Sequence, residues 1–334
     1  MKKFKLFCLA LCCVLGLTSC SKDDGNTLYL YNWTYYTPDS VLKAFEQEYN
    51  CNVILDIAQS NETMFTKIMS DAAPYDIAIP SDYMIGQMIE CDDDAVDAPV
   101  IQKIDYSKLN NYNPEAFDSK LMTLANRDCP QLNGYYVPYF WGSLGIMYNT
   151  DNLSEEQVNT IKKHGWAVLF EPELLGNVKI AMYASARDSI ASALLYKGYS
   201  INTKNKNELE EATKALENMN YVSWGTDELK TGVASGKYDL ALVYSGDYFD
   251  TLYSVYEESD EPHISFDMYA PQDRNNVFFD AMVIPNNSMN KDLAYKFIDF
   301  MIAYDNSLQN ASYVGYCPTQ TNIFKATELL NLKE

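Results

Sequence analysis

Aromatic rings stand beside carboxylates where apolar runs of this chain end. Trp33 and Tyr36 follow Leu28 to Tyr31, Tyr83 follows Asp76 to Ile79, Tyr244 precedes Asp247, Phe278 and Phe279 adjoin Asp280, and Tyr316 lies near the C-terminus. A primary ammonium has three donors and a fixed charge, so it wants carboxylate oxygens; a methylene chain wants aromatic walls. Together the two demands describe an alkyl diamine or triamine. A well-placed ring adds about 0.5–2 kcal/mol through cation–π attraction, and a charge-assisted hydrogen bond about 1.5–3 kcal/mol. The carboxylates should therefore dominate affinity while the rings set length and exclude water. With 27 tyrosines in the chain, plain core packing explains any single one equally well.

Catalysis has little to work with. His164 and His263 are the only histidines, and neither sits in a zinc, triad or nucleophile-elbow pattern. No phosphate-binding or dinucleotide-binding glycine motif occurs. The expectation is a protein that is not an enzyme and carries no cofactor and no metal. An acid hydrolase built on paired carboxylates stays open as a rival, because Asp and Glu total 46.

The elements that must position these residues alternate between strand and helix. Leu28 to Tyr31 reads as a strand, Thr37-Pro38-Asp39 as a helix start with proline in the first turn, and Val41, Leu42, Phe45 and Tyr49 recur at helical spacing. Val53 to Ile57 and a helix capped at Ser60 or Asn61 form a second unit, and Asp76 to Ile79 a third strand. Such alternation predicts a mostly parallel sheet, whose ligands bind beyond the carboxyl ends of the strands. That places Trp33, Thr34, Tyr36, Ser81 and Tyr83 at one edge.

Pro138 to Gly142 reads as a crossing into a second α/β series: a strand from Leu144 to Tyr148, another from Val178 to Met182, a helix from about Asp188 to Lys197, and a strand from Asp239 to Tyr244. Val277 to Pro285 crosses back, and a helix carrying Leu293, Phe297, Ile298 and Met301 packs on the first lobe. The expected lobes are residues 27–137 with 278–312, and 138–277 with 313–334, hinged around a cleft.

Lys2, Lys3 and Lys5 precede the apolar run Leu6 to Leu17, which is too short to span a bilayer and reads as an export signal. Leu17-Thr18-Ser19-Cys20 resembles a bacterial lipobox, implying cleavage after residue 19, lipid on Cys20 and a tether over residues 20–26. A plain secretory signal with an incidental cysteine is the alternative. Removing the three signal lysines takes the net charge from −21 to −24. Such a chain repels nucleic acid and gathers cations, although solubility alone explains the charge as well. The remaining Cys51, Cys91, Cys129 and Cys317 match no metal spacing; one or two disulfides are open to them, in three pairings.

Tyr31-Asn32-Trp33-Thr34-Tyr35-Tyr36-Thr37-Pro38 closely resembles the opening motif of bacterial spermidine/putrescine-binding proteins. The likeness continues through Ser60 to Met64, Tyr75-Asp76, Pro80 to Tyr83, Ile101 to Leu109, Pro138 to Gly142, Ala186-Arg187-Asp188, Lys197 to Ser200, Phe279-Asp280 and Gly315 to Thr319. The resemblance implies an α/β fold of the periplasmic-binding-protein type II class, two lobes joined by hinge crossings. It also implies a polyamine as ligand, an ABC permease in the inner membrane as partner, and a place in the cell envelope on the periplasmic side.

Position by position, Trp33, Thr34, Tyr36, Ser81 and Tyr83 match ligand-contacting positions of the first lobe, and Tyr316 a tyrosine of the cleft. Asp188 falls where the family has an amine-binding glutamate, Asp280 on an amine-binding aspartate. This chain departs from spermidine binders in carrying Tyr244 and Phe278 for tryptophans and Ser185 for an additional aspartate. Ser245-Gly246-Asp247 and Phe278-Phe279-Asp280 look more like the putrescine branch, where both aspartates hold one ammonium. That resemblance sets Asp247 and Asp280 at one end and Asp188 toward the other, and it favours putrescine over spermidine. A monomer is expected. The rivals are the same fold holding another cation or a ferric ion, and a surface hydrolase or adhesin.

Overall fold

The computed structural model describes residues 26–70, 74–90, 99–259 and 261–331. The signal, Cys20 and Cys91 lie outside them. The first half runs β1 (Thr27–Asn32), α1 (Asp39–Tyr49), β2 (Asn52–Ile57), α2 (Asn61–Met69), β3 (Ile77–Ala78), α3 (Asp82–Glu90), α4 (Ser119–Asp128), β4 (Val137–Asn149) and α5 (Glu155–His164). There follow β5 (Ile180–Tyr183), α6 (Ala186–Lys197), α7 (Lys206–Glu217), β6 (Ser223–Gly225), α8 (Glu228–Ala234), β7 (Leu240–Tyr244), α9 (Ser245–Glu258), β8 (Phe266–Tyr269) and β9 (Val277–Met282). The chain closes with α10 (Lys291–Ile302), α11 (Tyr304–Ala311), β10 (Cys317–Pro318) and α12 (Thr321–Asn331).

The opening βα units form as their periodicity predicts. Val41, Leu42 and Phe45 are the buried stripe of α1; Pro38 is its N-cap rather than a first-turn residue, and Asn50 ends it at φ 49°. Asparagine tolerates that left-handed conformation because its short side chain bonds locally. Ser60 caps α2 by accepting from the Thr63 amide at 3.1 Å. β2, β1 and β3 make a parallel sheet in that order.

Two strands carry the chain between lobes. Pro138 to Gly142 and Leu144 to Tyr148, read from the sequence as a crossing and a separate strand, are one 13-residue strand, β4. Its first half pairs antiparallel with β9 (Val137 opposite Met282, Ser143 opposite Val277), and its second half with β7 and β8. The pairing shifts register between Pro138 and Trp141, where proline has no N–H to give the ladder. The second sheet is therefore mixed rather than mostly parallel: β5 runs parallel to β6 and β7, while every partner of β4 is antiparallel.

Core packing follows the two lobes. One cluster spans Leu144 to Phe266 and fills the space around β5 and β7. A second gathers Leu28, Phe45 and Ile77 with Phe297, Ile298 and Met301, so α10 packs on the first lobe as expected. Each such side chain contributes about 1.5–3 kcal/mol by leaving water. Val314 and Ile323 belong to this cluster too. The segment from residue 313 thus touches both lobes: α12 lies against α11 and β10, β10 pairs with β4, and Gly315 approaches Gly246 and Asp250 of the second lobe.

Cys51, Cys129 and Cys317 are free thiols, not disulfide partners. Among the described residues no helix is long and apolar enough to cross a membrane.

Candidate functional site

A cavity of about 790 Å³ lies between the lobes. All twelve residues singled out from the sequence line it: Trp33, Thr34, Tyr36, Ser81, Tyr83, Ser185, Asp188, Tyr244, Asp247, Phe278, Asp280 and Tyr316. Neither histidine does.

The first lobe supplies the turn after β1 and the start of α3. Tyr35 takes φ 54° and is exposed, so the chain turns tightly between Trp33 and Tyr36. The Trp33 indole donates to the Ile79 carbonyl at 2.8 Å, tying this turn to the end of β3. Asp280 sits within β9, opposite Ser81 in an isolated bridge. Its Oδ2 accepts from the Tyr36 hydroxyl and its Oδ1 from the Ser81 hydroxyl, each at 2.6 Å. Burial pushes Asp280 up to about 6; the two hydroxyls oppose the rise and the charge of Asp188 adds to it.

Helix starts present the second lobe's carboxylates. Asp188 stands in the first turn of α6 behind its N-cap Ser185, whose side chain accepts from the Asp188 amide at 3.3 Å. The Tyr244 hydroxyl donates to Asp188 Oδ2 at 2.5 Å. Tyr244 is in turn the N-cap of α9, and its amide donates to Asp247 Oδ2 at 3.2 Å. A carboxylate three residues past an N-cap gains both an amide donor and the positive end of the helix dipole. All three aspartates are at most 6% exposed. Burial raises Asp188, and it pushes Asp247 up to about 6. Desolvation of this kind disfavours the charged form until a cation arrives.

Rings complete the walls. Tyr36 meets Tyr316 edge-on at 5.4 Å, and Tyr244 meets Phe278 at 5.2 Å. Burial drives the hydroxyls of Tyr36, Tyr244 and Tyr316 well above the ordinary tyrosine range, so they remain neutral donors. Gly246 makes room for Tyr316, since a Cβ there would fall 2.2 Å from its ring.

Among the lining residues given no role from the sequence, Asp82, Arg187 and Lys230 carry charge into the cavity. Asp82, at the start of α3, is pushed up to about 7, mainly by burial. The Arg187 guanidinium lies over the Tyr83 ring at 5.3 Å, joining α6 to α3 across the cleft. The Lys230 ammonium lies 3.4 Å from Asp247 Oδ1 and 2.7 Å from Asp250 Oδ2. Its only sequence signal was a lysine in a short segment before an apolar strand, which surface residues share. The charges acting on Asp247 are those of Lys230 and Asp227, whereas Asp280 feels Asp188.

The pattern of the family described as bacterial extracellular solute-binding protein matches residues 40–330. The chain belongs to that family. Among relatives of this solute-binding protein, the spermidine/putrescine-binding periplasmic protein of Escherichia coli (strain K12) is 32% identical, covering 95% of this chain and 84% of the relative. The crystal structure of the spermidine/putrescine ABC transporter substrate-binding protein PotD from Streptococcus pneumoniae is 31% identical. It superposes with a TM-score of 0.69, covering 90% of this chain and 85% of that one. The Tp0655 (TpPotD) lipoprotein of Treponema pallidum is 28% identical, with a TM-score of 0.72, 89% of this chain and 88% of that one. The α/β fold is thus that of the periplasmic binding proteins, as the sequence resemblance implied.

Proposed function

We propose that this solute-binding protein captures a polyamine, putrescine ahead of spermidine, in the interlobe cavity and delivers it to an ABC importer from the outer face of the inner membrane. It does no chemistry on its cargo. One observation carries the reading: two buried carboxylates, Asp280 from the first lobe and Asp188 from the second, are each oriented by a tyrosine hydroxyl within one aromatic-walled cavity.

Each ammonium of the ligand returns a desolvated aspartate to its charged form, and the charge-assisted bonds so made contribute about 1.5–3 kcal/mol apiece. Trp33, Tyr36, Phe278 and Tyr316 cover the methylenes. Because one acceptor belongs to each lobe, the ligand favours the lobes together over the lobes apart, and that differential is what a permease senses. The printed names of the relatives support polyamine cargo and the ABC partner. The lipobox-like Leu17 to Cys20 supports a lipid anchor at Cys20, and a lipoprotein stands among the similar structures.

Isothermal titration of the protein lacking residues 1–20 with putrescine, spermidine and spermine tests the reading. Saturable binding of at least one, lost in Asp280→Asn with the melting transition preserved, is the expected result. No heat with any of them would mean the cargo is something else.

A further inference from the structure

Of the carboxylates that line the ligand cavity, Asp188, Asp247 and Asp280 are the three buried ones on which the polyamine reading rests, and they are not equivalent. Asp188 and Asp280 receive their side-chain hydrogen bonds from neutral hydroxyls, and no ion pair among the described residues involves either. Arg187 acts on Asp188 only as a nearby charge, whereas Asp247 has a cation paired to it. Its Oδ2 accepts from the Tyr244 amide, and its Oδ1 faces the Lys230 ammonium at 3.4 Å. The lysine side chain is only 16% exposed and lines the same cavity. Asp250, at 2.7 Å, fixes the ammonium from the other side.

We propose that Lys230 is a specificity-determining residue, a built-in cation that occupies Asp247 and leaves two of these three aspartates, Asp188 and Asp280, as acceptors for ligand ammoniums. This deepens the polyamine reading above and rests on it. The chemistry is substitution of like for like. A lysine side chain is four methylenes ending in an ammonium, which is also the structure of an aminobutyl arm. Held between α8 and α9, it satisfies Asp247 as the third amine of a triamine would. Burial works against its charge, but Asp247, Asp250 and Asp227 outweigh that and hold the ammonium above its ordinary range, so it stays protonated at any pH where the ligand binds. A diamine then has a partner for each charge. A triamine brings one ammonium that finds Lys230 in its place and meets like-charge repulsion.

The test is calorimetric titration of the purified protein at pH 8 with putrescine and spermidine, comparing the ratio of the two affinities rather than either alone. Wild type should prefer putrescine. Lys230→Met keeps the bulk and removes the charge, and the ratio should move toward spermidine by about tenfold or more, the effect of one charge pair. Lys230→Gln, which leaves Asp247 a donor without a charge, should move it the same way, so the test stands if the methionine variant does not fold. Lys230→Met combined with Asp247→Asn removes the acceptor as well and should restore the wild-type ratio. An unchanged ratio in both single variants overturns the proposal while leaving polyamine capture intact. A wild type that binds neither ligand overturns the polyamine reading itself.

Discussion

The two lobes hold their carboxylates by different means. The first lobe sets Asp280 within a crossing strand and fixes it with hydroxyls 244 and 199 residues away in the chain. The second sets Asp188 and Asp247 in the first turns of α6 and α9, three residues past the N-caps Ser185 and Tyr244, and completes them with the Tyr244 hydroxyl on Asp188 and the Lys230 ammonium beside Asp247. The strand carboxylate is correct only when β1, β3 and β9 have assembled; a helix-start carboxylate is placed by its own helix and then oriented by a partner 56 or 17 residues away. The first lobe should therefore supply the more exacting half of the site, and the second the more tolerant half.

Substitutions can break that contrast. Asp280→Asn should lower putrescine affinity by about 100-fold or more, since it removes a charge-assisted acceptor for which the cavity has no local substitute. Asp247→Asn should cost less than about tenfold in the same titration, because Lys230 already occupies that carboxylate. Equal losses would show that the two acceptors act alike.

Acid offers a second test. Asp247 and Asp280 are each raised to about 6 in the folded protein, above the value near 3.9 of an unfolded chain. The folded state thus binds more protons, so the ligand-free protein gains stability as pH falls through that window and loses it as pH rises through about 6. Ligand binding runs the other way. Putrescine affinity should fall by about tenfold between pH 7 and 5 through protonation of Asp280, the one of the two not occupied by Lys230, while the ligand-free melting temperature rises. Parallel changes in the two would contradict the assignment of these groups.

Smaller effects sharpen the picture. Tyr36→Phe removes one donor from Asp280 and should weaken binding by about tenfold through loss of orientation. Ser185→Ala should cost about 1 kcal/mol of stability as a lost N-cap, visible as a lower melting temperature with putrescine affinity nearly unchanged. A larger effect on affinity than on melting would mean that Ser185 contacts the ligand directly.

Much of this was legible in the residues. The periodicity of Val41, Leu42 and Phe45 and the cap at Ser60 led to the observed elements, and the aromatic–carboxylate pairs at strand ends lie together along one cavity. Pairing across β4 was not legible, because a buried 13-residue strand serving two lobes looks like two shorter ones divided at Gly142. Nor was the burial of Ile323 in the cluster around α1 and α10, which depends on where α12 finds an apolar surface. Lys230 escaped for a third reason: a lysine in a short helix is ordinarily solvated, and only the fold of α8 against α9 turns its ammonium toward Asp247 and Asp250.

The central claim is that two separate carboxylates, one per lobe, bracket a ligand with an ammonium at each end. Competition between putrescine and butylamine tests it most directly, because the two differ by one ammonium and share the same methylenes. The account predicts that butylamine binds more weakly by about 100-fold or more, the loss of one charge-assisted contact in a buried site. Affinities within about threefold of each other would contradict it, since the second carboxylate would then play no part in recognition.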